Sequence, residues 1–224
     1  MTMLRQAAAI AGKDLRIEVR GRYALGAVLP FAATLLIAFG MSLGPGETLL
    51  RETAPGLLWL AVMFASVLSF RRAYQAEGED GALEGLALAP IDRAAVFLGK
   101  AAAVAVQLWA LEVAIVLLVS GLFGLPVGRG VGVMMAGFAL GTVGLAAVGS
   151  LFGVLEESPR AREAVFPLLV LPLATPVLLA GVKATALATA GRGGQAGGWL
   201  GLLGAFDAVF LAAGTLVFGY LLDD

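Results

Sequence analysis

The chain has 224 residues, of which 60% are hydrophobic and 14% charged, with a net charge of −1. A soluble domain carries about 25% charged residues, and no water-soluble fold covers that much apolar surface, so the composition excludes water as the main solvent and leaves the bilayer. The absence of cysteine and histidine excludes disulfides and thiolate metal sites, and it removes the commonest heme ligand and the commonest general base.

Residues 1–23 read as an interfacial helix. Leu4, Ala8, Ala11, Leu15 and Val19 fall at spacings of three and four, with Arg5, Lys13, Arg16, Arg20 and Arg22 around the other faces. Such a basic amphipathic segment lies on a membrane surface, or serves as a charged flank that fixes orientation. Runs of about 20 apolar residues mark spanning helices, and six follow: 24–43, 54–70, 94–123, 131–155, 162–190 and 199–222. The alternating ten-residue pattern of a membrane β-barrel is missing. The fold class is therefore an all-α integral membrane protein, one six-helix unit over 1–224. The first span has no small-residue cleavage site after it and is read as retained.

With the N-terminus in the cytoplasm, the inner segments hold Arg5, Lys13, Arg16, Arg20, Arg22, Arg71, Arg72, Arg93, Lys100, Arg160 and Arg162. The outer segments hold Arg51, Arg129, Lys183 and Arg192. Eleven against four follows the positive-inside rule and places both termini in the cytoplasm.

Between the second and third spans lies the longest polar island, Phe70 to Lys100. Wound as a helix over about 76–88, it gathers Leu83, Leu86 and Ala87 on one face and Glu77, Asp80 and Glu84 on another. Like charges in a row oppose an isolated helix and suit a basic surface on a neighbouring protein. A solvated loop is the plainer reading. Pro90 stops the element, and Asp92 is placed to cap the next helix ahead of Arg93.

Within the spans, Glu112 sits mid-way along the third and Asp207 in the sixth. A carboxylate at that depth costs about 3 kcal/mol to insert, so each faces the bundle interior, is protonated, or finds a partner. Glu112 is the stronger candidate for a substrate or proton path. For either acid the plainer reading is a structural hydrogen bond, with Gln107, Thr142 and Thr215 as the available donors, and for Asp207 that reading is preferred. The fourth span carries Gly137, Gly141, Gly149 and Gly153 on a four-residue period broken by Leu145. Small residues at that spacing let helix backbones approach, inside one chain or across a dimer seam. Pro167, Pro172 and Pro176 predict a kinked or broken fifth span.

Enzyme signatures are missing. Gly99-Lys100 resembles the end of a phosphate-binding loop, but no glycine stands five residues before Gly99 and Ala101 replaces the hydroxyl residue. The acidic run Glu77, Glu79, Asp80, Glu84 lacks the spacing of a calcium loop. No metal site, catalytic group or nucleic-acid surface is predicted.

Several segments together resemble the heme exporter protein B family, the membrane permease of cytochrome c maturation. They are Lys13-Asp14-Leu15-Arg16-x-Glu18, Gly56-Leu57-Leu58-Trp59, and Glu77-x-Glu79-x-Gly81-Ala82-Leu83-Glu84-Gly85-Leu86-x-Leu88-Ala89-Pro90 followed by Phe97-Leu98-Gly99-Lys100. Ala161-Arg162-Glu163 and Pro167-Leu168 fit as well. The resemblance implies an ABC-2-like permease of the bacterial inner membrane, acting in heme export or in ATP-driven release of a heme-loaded chaperone. It implies a separate cytoplasmic ABC ATPase, docked on the 76–88 coupling helix through Glu77, Glu79, Asp80, Gly81, Leu83, Glu84, Gly85 and Leu86. It further implies a heme-handling membrane protein, a periplasmic heme chaperone and a homodimer. Heme is then a cargo and ATP acts through the partner. With no histidine here, the axial heme ligand belongs to a partner, ahead of Met63 or Tyr74. The alternatives are an ABC-2 exporter permease for a lipid or drug and an uncoupled scaffold of the heme-handling complex.

Overall fold

The computed structural model describes the backbone of residues 2–79, 91–128, 130–153 and 165–223, and the side chains of 2–70, 91–128, 130–153 and 169–219. Among these residues every element is helical: α1 (Met3–Gly21), a π-helical turn (Ala24–Val28) running into α2 (Leu29–Leu43), α3 (Glu47–Glu79), α4 (Arg93–Phe123), α5 (Val131–Gly153), α6 (Val165–Thr189) and α7 (Gly197–Asp223). Six of them are long and apolar enough to cross a membrane. The chain is a multi-pass, all-α membrane protein.

Local chemistry explains the boundaries. Asp92 is extended and its Oδ1 accepts from the Ala94 N–H at 3.0 Å, the N-cap of α4. Gly124, at φ 64°, ends the same helix with its N–H on the Ser120 carbonyl, a left-handed position that suits glycine. Helix α6 runs unbroken through Pro172 and Pro176, so the prolines do not divide it. Helix α3 departs furthest from the hydropathy reading. Its 33 residues make a rod of about 50 Å, longer than the hydrocarbon core of about 30 Å. It starts seven residues ahead of the span predicted at 54 and continues past Phe70 to Glu79. Hydropathy locates where the solvent changes; backbone hydrogen bonds carry the helix on.

Helix α3 is also the most enclosed span, 67% buried against 17% for the first and sixth spans. It packs on α4 and α6, while α5 is flanked by α4, α6 and α7. The centre of this arrangement is Trp59, 1% exposed. Its indole lies against Gly141 of α5, where a Cβ would stand 2.5 Å from Cη2, and against Gly181 of α6, where a Cβ would stand closer still. Its Nε1 donates to Thr185 Oγ1 at 2.9 Å, and the ring stacks on Phe138 at 5.3 Å. Phe70 fills the notch at Gly149, and Phe97 of α4 fills the notch at Gly214 of α7. Gly137, by contrast, meets Ala184 and Leu200 only at 3.9–4.0 Å.

Helix α1 is fastened across the start of α4. Ile10 and the Ala7 carbonyl rest on Gly99, with 2.8 Å to where its Cβ would be. Gln6 Oε1 accepts from the Asp92 N–H at 3.4 Å. Lys100 Nζ reaches Asp14 Oδ2 at 3.7 Å, and Lys13 Nζ reaches Asp14 Oδ1 at 3.2 Å. The protein-facing side of α1 is thus Ala7, Ile10 and the half-buried Asp14. The stripe expected from periodicity is not that side: Leu4 and Val19 are exposed. A helix lying on a bilayer keeps such a stripe for lipid.

Two predictions follow from this packing. Gly141→Ala pushes a methyl into Trp59 and lowers stability by about 1–3 kcal/mol, as overpacking does, whereas Gly137→Ala is neutral or mildly stabilising; thermal unfolding in detergent compares them. Lys100 is 1% exposed, so Asp14→Ala takes a carboxylate away from a buried ammonium, at a loss of about 3 kcal/mol. The double variant Asp14→Ala/Lys100→Met recovers most of that loss, and additive losses in the double-mutant cycle would contradict the pairing.

Candidate functional site

Glu112, about one turn past the middle of α4, is 3% exposed. The Thr142 hydroxyl of α5, fully buried, donates to Glu112 Oε1. This is one of the three donors named from sequence. The other two are engaged elsewhere: Gln107 Nε2 donates to Ser69 Oγ at 3.3 Å and Thr215 Oγ1 to the Ala212 carbonyl at 2.9 Å. Glu112 also borders a cavity of about 470 Å³ between α4 and α5, walled by Trp109, Val116, Met134 and Phe138. It is the titratable group in an otherwise apolar lining. A single acid in such a wall offers one polar point to an apolar or amphiphilic molecule.

Asp207, on α7, is 6% exposed, and its Oδ1 has no hydrogen-bond partner among the described residues. It faces Gly144 of α5, where a Cβ would lie 2.6 Å from Oδ1. The structural hydrogen bond expected for Asp207 is not formed by Gln107, Thr142 or Thr215. The two acids are not brought together. Their contacts on α5, Thr142 and Gly144, are two residues apart and therefore about 200° around the helix. Paired-carboxylate chemistry has no basis in this geometry, and each acid is a separate feature.

At the other end of the site, the docking residues straddle the described boundary. Glu77 and Glu79 belong to the last turns of α3. Asp80, Gly81, Leu83, Glu84, Gly85 and Leu86 lie outside the described residues, as does most of the stretch 76–88 over which a coupling helix is expected. What flanks them is defined. On one side α3 continues about 14 Å beyond Phe70, nine residues at 1.5 Å each. On the other, Asp92 opens α4 under the grip of α1. Gly137, Gly141, Gly149 and Gly153 are all buried on α5, with Gly141 and Gly149 holding aromatic rings of α3.

Sequence reasoning passed over Asp14–Lys100 and the sockets at Gly144, Gly181 and Gly214. For the ion pair a signal existed. Lys100 stands inside an apolar run, where a charge needs a partner, and Asp14 is an acid set between the basic Lys13 and Arg16 of α1. For the sockets it did not, since a glycine facing a ring and a glycine facing lipid read alike.

Comparison with known proteins bears on this arrangement as a whole. The chain is similar to Heme exporter protein B of Pseudomonas aeruginosa, 30% identical over 175 residues, which cover 77% of each chain. It is 32% identical to Heme exporter protein B of Rhodobacter capsulatus over 78% of this chain and 80% of that one. With Heme exporter protein B of Haemophilus influenzae it shares 30% identity over 88% of this chain and 87% of the relative. The family described as CcmB protein matches residues 5–222, from the first turns of α1 to the last turn of α7. The resemblance carried by the motifs at 13–18, 56–59 and 77–100 therefore extends over nearly the whole sequence, and the chain belongs to the CcmB protein family.

Proposed function

We infer that this protein is the membrane permease subunit for heme export in cytochrome c maturation. The observation that carries this reading is the family match over residues 5–222 on a chain with six membrane-crossing helices. Its relatives are named for heme export. In this reading the protein resides in the bacterial inner membrane with both termini cytoplasmic, heme is a cargo, and a separate cytoplasmic ABC ATPase supplies the energy. A heme-handling membrane protein and a periplasmic heme chaperone complete the complex. A second copy of the chain belongs to it too, and the first and sixth spans, each 17% buried within one chain, have the surface to meet it.

The docking surface for the ATPase is the segment from Glu77 through Leu86, with Glu77, Glu79, Asp80 and Glu84 offering negative charge and Gly81, Leu83, Gly85 and Leu86 offering close approach and an apolar contact. Supporting this is the long extension of α3 up to Glu79 and the anchoring of Asp92 by α1. Together they fix the residues on either side of the segment. Glu112 is the polar point of the cargo path, supported by its burial beside an apolar cavity. Asp207 has a supporting role beside Gly144.

The test is purification with the neighbouring genes, followed by a heme spectrum and an ATPase assay on the same sample. Glu84→Lys reverses a charge at the docking surface. It weakens ATPase association on the order of tenfold, the scale of one lost interfacial charge pair, while the protein stays inserted. Unchanged association and coupling would remove the docking assignment. Glu112→Gln keeps an acceptor for Thr142 and removes the acid. Thermal stability in detergent stays within about 1 kcal/mol of the parent while holo-cytochrome c yield falls. Full yield in that variant would make Glu112 a packing residue.

A further inference from the structure

A second cavity, of about 550 Å³, lies between α1, the start of the first span and α4. Its position is set by the fold. Helix α1 carries an exposed apolar stripe and ends at Arg22, two residues before the first span begins at Ala24. The cavity mouth is therefore at the level where headgroups meet acyl chains.

Its lining is graded. Glu18, Arg22 and Gln107 stand at the polar end, while Leu25, Val106, Ala110 and Ala114 form the apolar length. Val106, Ala110 and Ala114 repeat every fourth residue of α4, a strip about 12 Å long. That is most of the depth of one leaflet, whose hydrocarbon is about 15 Å thick. The strip is made of small side chains and is open to the lipid side, since Val106 is 44% and Leu25 65% exposed.

Two of the polar groups are engaged. Glu18 Oε1 accepts from the Ala24 N–H at 2.8 Å, and Gln107 Nε2 donates to Ser69. Arg22 takes no part in the ion pairs among the described residues. It also occupies a left-handed backbone conformation, φ 51°, the one non-glycine residue described with positive φ. Glycine or asparagine would hold that position with less strain, so the guanidinium is kept there against the local backbone preference. A π-helical turn follows directly, a widening often found beside functional sites. Arg16 and Arg20 add positive charge on the same helix.

We propose that this slot is a binding site for an anionic phospholipid of the leaflet on the α1 side, one acyl chain lying along Val106, Ala110 and Ala114 and the headgroup phosphate on Arg22. The bound lipid ties α1 to α4 further along both helices than the Asp14–Lys100 contact. This assignment is independent of the cargo.

The chain contains no cysteine, so Ala110→Cys introduces a single thiol for a bimane label in the full-length protein. The labelled protein is reconstituted into phosphatidylcholine vesicles containing increasing fractions of phosphatidylglycerol, with bromine on the acyl chains of one lipid or the other. Brominated phosphatidylglycerol quenches at mole fractions about fivefold lower than brominated phosphatidylcholine, the preference expected for one arginine at an anionic surface. A label at Val209→Cys, on the exposed side of α7, shows no preference. Arg22→Asn, which keeps the left-handed helix end and removes the charge, abolishes the preference at Ala110. Equal quenching by the two lipids, or a preference that survives Arg22→Asn, overturns the site. Protection of the label from both lipids does so too, because it places a protein surface in the slot.

Discussion

Everything else in this bundle is arranged around an indole held between two helix backbones. In lipid, helices gain no hydrophobic energy by meeting, because the tails are as apolar as leucine. What draws them together is close packing and the hydrogen bonds that packing allows. Trp59 supplies both. Its ring fits where Gly141 and Gly181 have no side chain, and its Nε1–H, which would otherwise be unpaired in an apolar medium, is given to Thr185. That bond fixes the height of α6 against α3, and the stack on Phe138 fixes α5. Phe70 in the Gly149 notch repeats the contact three helical turns along α3. Two rings in two notches set both the height and the rotation of α5 relative to α3.

With α5 so oriented, its polar and bare positions have assigned directions. Thr142 is delivered to Glu112 on α4, and Gly144, on another side, to Asp207 on α7. The consequence is chemical. One acid is hydrogen-bonded and borders a cavity, while the other is packed against backbone with an oxygen left without a donor. They have different surroundings although the sequence presents them as similar lone carboxyls in apolar spans.

Much of the fold was legible because the bilayer simplifies the problem. Six apolar runs of the right length define six helices, and the ends of most spans agree with the structure to within a few residues. The misses have a common physical origin: hydropathy reports the solvent, and neither hydrogen-bond continuity nor the identity of a neighbour. Thus α3 was cut at Phe70, where polarity changes, although its backbone runs to Glu79. The α1 stripe of Leu4 and Val19 was found correctly as apolar, yet it faces away from the protein because a surface helix has two apolar contacts to serve. Lys100 drew notice as a failed phosphate-loop residue, while its partner lay 86 positions earlier on α1. At the candidate site, Glu112 and Thr142 were both visible as polar residues in spans. That they meet, and that Asp207 meets no donor among the described residues, required the rotation of α5 to be known.

The length of α3 bears on how such a permease is driven. Trp59 and Glu79 lie on one uninterrupted helix, twenty residues or about 30 Å apart. If an ATPase docks beside Glu79 as proposed, the unbroken helix links that contact to Trp59. Trp59 cannot follow freely, because Gly141 and Gly181 confine its ring on two sides; α5 and α6 must move with it or the ring must leave its notch. On the far side of the segment, Gln6 and Asp14 hold the first two turns of α4 to α1, which resists the same displacement. Between these two fixed points lies the contact between α4 and α5, where the Glu112–Thr142 hydrogen bond and the apolar cavity are found. Under the docking proposed above, helix continuity and these two fixed points would direct a displacement of the segment to the seam that carries the buried acid.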